Sequence, residues 1–352
     1  MITEVEKPTE MESPSTPEAH TEGVPIIQVD HLVKKFDDFT AVNDISFEVR
    51  EGEIFGFLGP NGAGKSTTIK TLCTLLQPTS GHIRVAGHDV EKESDVVRSM
   101  IGIVFQDNSL DSDLTAQENM EFHCMVYHIP RAERVERIKR LLDLMELTEF
   151  KDRRVKTFSG GMRRRLEIAR GLLHEPRLMV LDEPTVGLDP QTRNYIWQYV
   201  RNLRKVHHTA IFMTTHYMDE AENCDRIAII DKGVIVALDT PANLKKLVGD
   251  DQIELITRDN ARVMQVISEH YKVPVSERDG AVIVQVPAGE SFAPKLLAEL
   301  PALTGGVTIE SLHIRRPSLE DVFLKLTGRL IREEEGSKDQ FKLNLRRMGR
   351  IK

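Results

Sequence analysis

Residues Gly59 to Thr67 read Gly-Pro-Asn-Gly-Ala-Gly-Lys-Ser-Thr. The spacing Gly-x-x-x-x-Gly-Lys-Ser/Thr restricts the backbone sharply, because Gly59, Gly62 and Gly64 license conformations closed to other residues. The flanks fix its setting. Ile54 to Leu58 is a short apolar run suited to a buried strand, and Ile69, Leu72, Leu75 and Leu76 fall at helical spacing after Ser66. Strand, glycine loop and helix in that order turn the loop's N–H groups inward at the positive end of the helix, a cradle for phosphate oxygens. Lys65 adds a point charge for β- and γ-phosphates, and Ser66 a hydroxyl for magnesium. A merely structural turn has no use for Lys-Ser-Thr in this register.

The 352 residues suffice for two domains and a sizeable core. Hydrophobic residues at 40% and charged residues at 29% fit a soluble globular protein, and the net charge of −8 argues against bulk nucleic-acid binding. No apolar run reaches the roughly 18 residues of a membrane-spanning helix, so the chain is not expected to cross a bilayer. Residues 1–25 are acidic, rich in Pro, Ser, Thr and Glu, and without the apolar core of a secretory signal; they read as a disordered tail. Cys73, Cys124 and Cys224 lack metal-ligand spacing and read as thiols in a reducing cytoplasm.

Residues 26–50 alternate apolar and polar as antiparallel strands do, and Gly81 to Gly87 and Ile101 to Phe105 read as further strands. Residues 113–156 take on helical periodicity (Ile138, Leu141, Leu142, Met145), which predicts a helical subdomain inserted into an α/β core. Leu178 to Leu181 and Ala210 to Thr214 read as buried parallel strands, and 227–237 as a hairpin turning at Asp231-Lys232-Gly233. Strands at 251–257, 281–286 and 307–314, with helices at 261–270 and 292–300, predict a small α+β domain over 251–330. Residues 331–352 form a basic polar tail, in which Phe341, Leu345 and Met348 would share one helical face.

The strand Leu178 to Leu181 ends in Asp182, a carboxylate placed to reach Mg²⁺ at the sheet's C-terminal edge, and Glu183 beside it can polarise an attacking water. Ser159-Gly160-Gly161 opens a helix with Leu166, Ala169, Leu172 and Leu173 on its apolar face, offering a second anion site. Arg163, Arg164 and Arg165 read as a solvated face. His216 follows the 210–214 strand beside the Asp182 strand end, which favours a place in the site; His123, His207 and His208 read as surface or core residues.

Phosphate loop, Ser159-Gly160-Gly161, Leu181-Asp182-Glu183-Pro184, Gly187-Leu188-Asp189 and His216 come in one order, and in it the chain resembles the ATP-binding cassette ATPases over about residues 26–240. The resemblance implies a P-loop NTPase α/β core at 26–245 with an antiparallel β subdomain and the helical insertion. By it, ATP would lie on Gly59, Pro60, Asn61, Gly62, Ala63, Gly64, Lys65, Ser66 and Thr67, with Phe36 stacked on the adenine. Ser66, Gln106 and Asp182 would hold Mg²⁺, and Gln106 would also sense a transmembrane partner. Ser159, Gly160 and Gly161 would face the γ-phosphate held by the other subunit of a homodimer, across an interface that Asp189 spans. Glu183 would activate the water, with Lys65 and His216 at the γ-phosphate. Phe158 and Met162 stand where the signature usually has Leu and Gln, and Phe36 where Tyr is common.

The run Phe158 to Arg170 and the segment Arg316 to Gly328 resemble the daunorubicin-resistance type of exporter ATPase, extending the resemblance to about residues 26–330. It implies the ATP-hydrolysing subunit of an exporter of multidrug, lipid or polysaccharide-like substrates. That subunit would drive a separate membrane permease from the cytoplasmic face of the cell membrane. The alternative is a soluble regulator that uses ATP as a dimerisation switch. A single cassette and a short insertion argue against its translation and repair versions; a nucleotide kinase needs neither the Ser159 signature nor His216; a ligand-sensing importer subunit finds no small-molecule site in 251–330. From the residues themselves, Pro317-Ser318 starts a helix capped by Gly328, with Leu319, Val322, Phe323 and Leu326 on one face.

Overall fold

The computed structural model describes residues 25–278 and 280–328, so both tails lie outside it. Strands β1 (Ile27–Phe36) and β2 (Phe39–Val49) pair antiparallel, and β3 (Ile54–Leu58) leads through the glycine loop into α1 (Lys65–Leu72). The helix stops sooner than its apolar spacing predicts: Thr74 takes a positive φ of 64°, and Leu75 is exposed. Next come β4 (Ser80–Val85), β5 (His88–Asp89), α2 (Ser94–Met100) and β6 (Ile101–Val104). The antiparallel sheet runs β2-β1-β4-β5.

The helical insertion comprises α3 (Ala116–Val126) and α4 (Arg131–Leu144), and α5 (Gly160–Gly171) returns the chain to the core. Thr115 and Glu118 close a capping box on α3. The six-stranded sheet is completed by β7 (Leu178–Asp182), α6 (Pro190–His207), β8 (Ala210–Thr215), the single turn α7 (Met218–Ala221) and the hairpin β9 (Arg226–Asp231) and β10 (Val234–Asp239). Its order is β10-β9-β3-β8-β7-β6, parallel throughout except for β10. Every residue of β3, β7 and β8 is buried, as strands covered on both faces require. Phe47 of the antiparallel sheet stacks on Phe55 and Phe212 of the parallel one, at 5.6 and 5.9 Å between ring centroids, and so joins the two sheets.

After α8 (Pro241–Lys246) the small domain follows: β11 (Asp251–Thr257), α9 (Asn260–Val266), β12 (Val275–Arg278), β13 (Ala281–Val286), α10 (Gly289–Leu303), β14 (Ile309–Arg315) and α11 (Leu319–Thr327). Strand β12, absent from the sequence reading, forms the edge of the antiparallel sheet β12-β13-β11-β14. Ser318 and Asp321 cap α11 reciprocally, and Gly328 ends it at a φ of 73°. Leu319, Val322 and Phe323 bury in the same core cluster as Leu244 and the helical insertion, so α11 packs against the larger body.

In the insertion, Tyr127 stacks on His174 with centroids 3.9 Å apart, and His123 packs beside Tyr127. Burial, with the charges of Arg170 and His174 adding to it, takes the His123 pKa from 6.5 down to about 4. The unfolded chain therefore takes up this proton first as pH falls below about 6.5, while the folded chain resists until about 4. Thermal unfolding should show a His123-dependent loss of about 2 kcal/mol between pH 7 and pH 5, which His123→Gln removes. Equal pH slopes in the two proteins would exclude His123 as the source.

Candidate functional site

The glycine loop owes its shape to two close approaches. A Cβ at position 59 would lie 2.3 Å from the Ile230 carbonyl oxygen, and one at position 64 would lie 2.7 Å from that of Ala41. Gly64 also has a φ of 109°, so no other residue fits there. The Lys65 ammonium is buried beneath the loop and donates to the carbonyls of Gly59 (2.8 Å) and Pro60 (3.2 Å). Beside it opens a cavity of about 420 Å³ floored by Asn61, Gly62, Gly64, Lys65, Ser66 and Thr67, with Gln106 and Glu183 on its wall.

That wall is built where β7 and β8 end side by side. The Thr214 hydroxyl donates to Asp182 Oδ1 at 2.5 Å and accepts from the Glu183 N–H at 3.0 Å. Glu183 leaves the strand at a φ of 47°, a conformation uncommon for a side-chain-bearing residue. Its carboxylate meets three residues far apart in sequence: Lys65 Nζ at 3.1 Å, His216 Nδ1 at 3.3 Å and Gln106 Nε2 at 3.3 Å. Burial pushes the Glu183 pKa up, but the His216 hydrogen bond and the Lys65 charge outweigh it and hold the acid below its ordinary range. Buried Glu220 accepts from the Thr215 hydroxyl at 2.6 Å and from the Thr185 hydroxyl, tying the segment after Glu183 to the segment before His216.

The structure does not bring every sequence-derived residue to this cavity. Ser159, Gly160 and Asp189 are exposed, Gly161 is half-buried, and none of the four is among the cavity's lining. They gather elsewhere. Ser159 caps α5 by accepting from Met162 N at 3.2 Å, and Asp189 caps α6 by accepting from Thr192 N at 3.0 Å. A Cβ on Gly161 would stand 2.6 Å from Thr192 Cγ2, so the two helix N-termini abut. Phe36 pairs with Phe39 across the turn between β1 and β2. Phe39, which the sequence reading passed over, lines the cavity together with Ala41, while Lys34 Nζ sits 5.0 Å above the Phe36 ring.

One expectation is overturned. Arg164 is not part of a solvated face; it is buried, at 7% exposure, because four backbone carbonyls converge on its guanidinium. Arg165 is half-covered and donates to the Met145 carbonyl at 2.9 Å. Apart from the middle place in a basic triplet, no signal in the sequence distinguishes Arg164 from its neighbours.

A parallel sheet, a glycine loop around a buried lysine and a strand-end carboxylate pair define a phosphate-loop ATPase. Residues 42–186 match the family described as ABC transporter, and residues 240–327 the C-terminal domain of DrrA1-3-like ATP-binding proteins. The linearmycin resistance ATP-binding protein LnrL of Bacillus subtilis (strain 168) is 38% identical, over 88% of this chain and 100% of its own. The daunorubicin/doxorubicin resistance ATP-binding protein DrrA of Streptomyces peucetius is also 38% identical, over 88% of this chain and 94% of its own. Among solved structures, cbiO1 from Clostridium perfringens, part of the ABC transporter complex cbiONQ, superposes with a TM-score of 0.59 at 29% identity, covering 64% of this chain and 93% of that one. The ATP-binding cassette MJ0796, described as dimeric and bound to ADP and Pi, gives 0.56 at 27% identity, covering 61% and 98%. The chain belongs to the ABC transporter ATP-binding proteins with a DrrA-type C-terminal domain: it is an ATP-binding ATPase subunit of the drug-resistance exporter type.

Proposed function

We propose that two copies of the chain close around two ATP molecules, each held by one copy's phosphate loop and covered by the other's Ser159 helix. The observation that carries this is the split site. The cavity gathers the loop, Gln106 and Glu183, while Ser159, Gly160 and Asp189 lie exposed outside its lining. The dimeric form described for MJ0796 supports the same reading. Glu183, kept ionised by His216 and Lys65, accepts the proton of the attacking water, and His216 orients its carboxylate. In the present geometry Lys65 and Glu183 hold each other; phosphate oxygens in the cavity draw Lys65 away and leave the carboxylate to the water. The oxygen donors Ser66, Gln106 and Asp182 suit Mg²⁺ and would hold it; when bound it would neutralise phosphate charge.

The work goes to a separate membrane permease at the cytoplasmic face of the cell membrane, moving a multidrug, lipid or polysaccharide-like molecule. No helix among the described residues is long and apolar enough to cross a membrane. Helix α3 instead exposes Phe122, Met125 and Val126. Its Asn119 accepts through Oδ1 from the N–H of Asp111, at the end of the Gln106 loop, at 3.0 Å and donates through Nδ2 to the Asp111 carbonyl at 3.0 Å, so a partner on α3 is linked to the site. The test is affinity capture of the tagged Glu183→Gln chain with Mg-ATP from detergent-solubilised native membranes. A polytopic membrane protein should co-purify, and polar replacements at positions 122, 125 and 126 should release it without loss of ATP binding. Recovery of soluble partners or ribosomes alone overturns the permease reading and leaves the ATPase.

A further inference from the structure

One polar stripe of α5 is used entirely inside the chain. Arg164, Glu167 and Arg170 recur at every third residue. The buried Arg164 donates through Nε to the Pro184 carbonyl (2.7 Å), through Nη1 to that of Phe105 (2.5 Å), and through Nη2 to those of Asp182 (3.0 Å) and Glu183 (3.1 Å). It pairs with buried Glu167 at 3.0 Å. Glu167 accepts from the Ser109 N–H at 2.9 Å, and Arg170 donates to the Ser109 carbonyl at 2.7 Å and also bonds its hydroxyl. The loop that carries Gln106 is therefore gripped before, at Phe105, and behind, at Ser109, by one helix. That helix also holds the backbone of Glu183, whose φ of 47° aims its carboxylate. Its own N-cap is Ser159. A buried ion pair is a poor source of stability compared with apolar packing, so so complete a match of donors to carbonyls points to a geometric role.

We propose that Arg164, Glu167 and Arg170 are positioning residues that make α5 a strut between the two nucleotides. Resting on the two-copy reading above, the strut carries the engagement of Ser159 with the facing copy's ATP to Gln106 and Glu183 of its own site, so the sites fire in concert. The test is ATP binding and steady-state hydrolysis by the full-length chain. Arg164→Gln should lower kcat about tenfold or more while the KM for ATP stays within about threefold, the signature of lost transition-state positioning, and should bring the Hill coefficient toward unity. Arg164→Lys, which retains the charge, should recover part of kcat. Arg170→Gln, at the less buried end of the stripe, should lower the Hill coefficient in a folded protein. Should Arg164→Gln not fold, Arg164→Met/Glu167→Met leaves no unpaired buried charge and is read in its place. A folded variant with native kcat and native cooperativity overturns the strut alone. A native chain with neither cooperativity nor an ATP-dependent dimer overturns the strut together with the two-copy reading.

Discussion

Replacing Glu183 by Gln should slow ATP turnover by about 10²- to 10⁴-fold, the usual weight of a positioned general base, while ATP stays bound. The amide keeps the shape of the side chain and can still meet His216 and Gln106, but it cannot take a proton from water. It also removes the negative charge 3.1 Å from the Lys65 ammonium, so that the lysine no longer needs to leave a carboxylate to meet a phosphate. Affinity for ATP should therefore hold or rise as kcat falls. Burst-phase and steady-state phosphate release measure both quantities, and native turnover in this variant would remove Glu183 from the role of base.

Lys65→Ala should act on both binding and stability. Losing a charge-assisted contact to the phosphates is expected to weaken ATP binding by about 10- to 150-fold. The second effect comes from Glu183, which is only 7% exposed and keeps no other full positive charge among its three side-chain contacts unless His216 is protonated. Stranding one member of a buried ion pair costs about 3–5 kcal/mol, and the contacts from His216 and Gln106 place this case at the lower end. The pH dependence has a definite sign. A carboxylate held below its ordinary value of 4.5 contributes stability that is present above that value and is lost as pH falls through the folded pKa. The melting difference between native chain and Lys65→Ala should thus be full near pH 7 and shrink as acid titrates the carboxylate. A difference independent of pH would assign the loss to packing instead.

The parts legible in the sequence were those whose chemistry is written in adjacent residues. Gly59 to Thr67 and the apolar run before Asp182 each carry their own flanking elements, so strand, loop and helix followed from the string. The capped helix α11 was equally local: Asp321 lies in its first turn, and Ser318 and Gly328 are the residues that immediately flank it. Edge strand β12 was not visible because Ser276, Glu277 and Arg278 are all exposed and give no apolar alternation. The burial of Arg164 was hidden for the opposite reason: its partners are the carbonyls of residues 105 and 182–184, and backbone acceptors leave no mark in a sequence. The positive φ of Glu183 and the hydroxyl pair on Glu220 likewise depend on how β7 and β8 end together. The small domain was placed by its change of pattern, but its last helix packs into the core of the larger body, which only the fold reveals.

The split site is tested most directly by light scattering of the Glu183→Gln chain, with and without Mg-ATP, alongside the same chain bearing Gly160→Asp. Within one chain a Cβ at position 160 meets nothing nearer than Leu188 Cδ2 at 3.8 Å, so the substitution leaves the fold and the phosphate loop intact. In the proposed two-copy arrangement, where position 160 would face the second copy's γ-phosphate, it would set a carboxylate against an anion. We expect an ATP-dependent dimer holding two nucleotides for Glu183→Gln, and a monomer that still binds ATP once Gly160→Asp is added. A chain that remains monomeric at saturating ATP, or a dimer indifferent to Gly160→Asp, would contradict a nucleotide site shared between two copies.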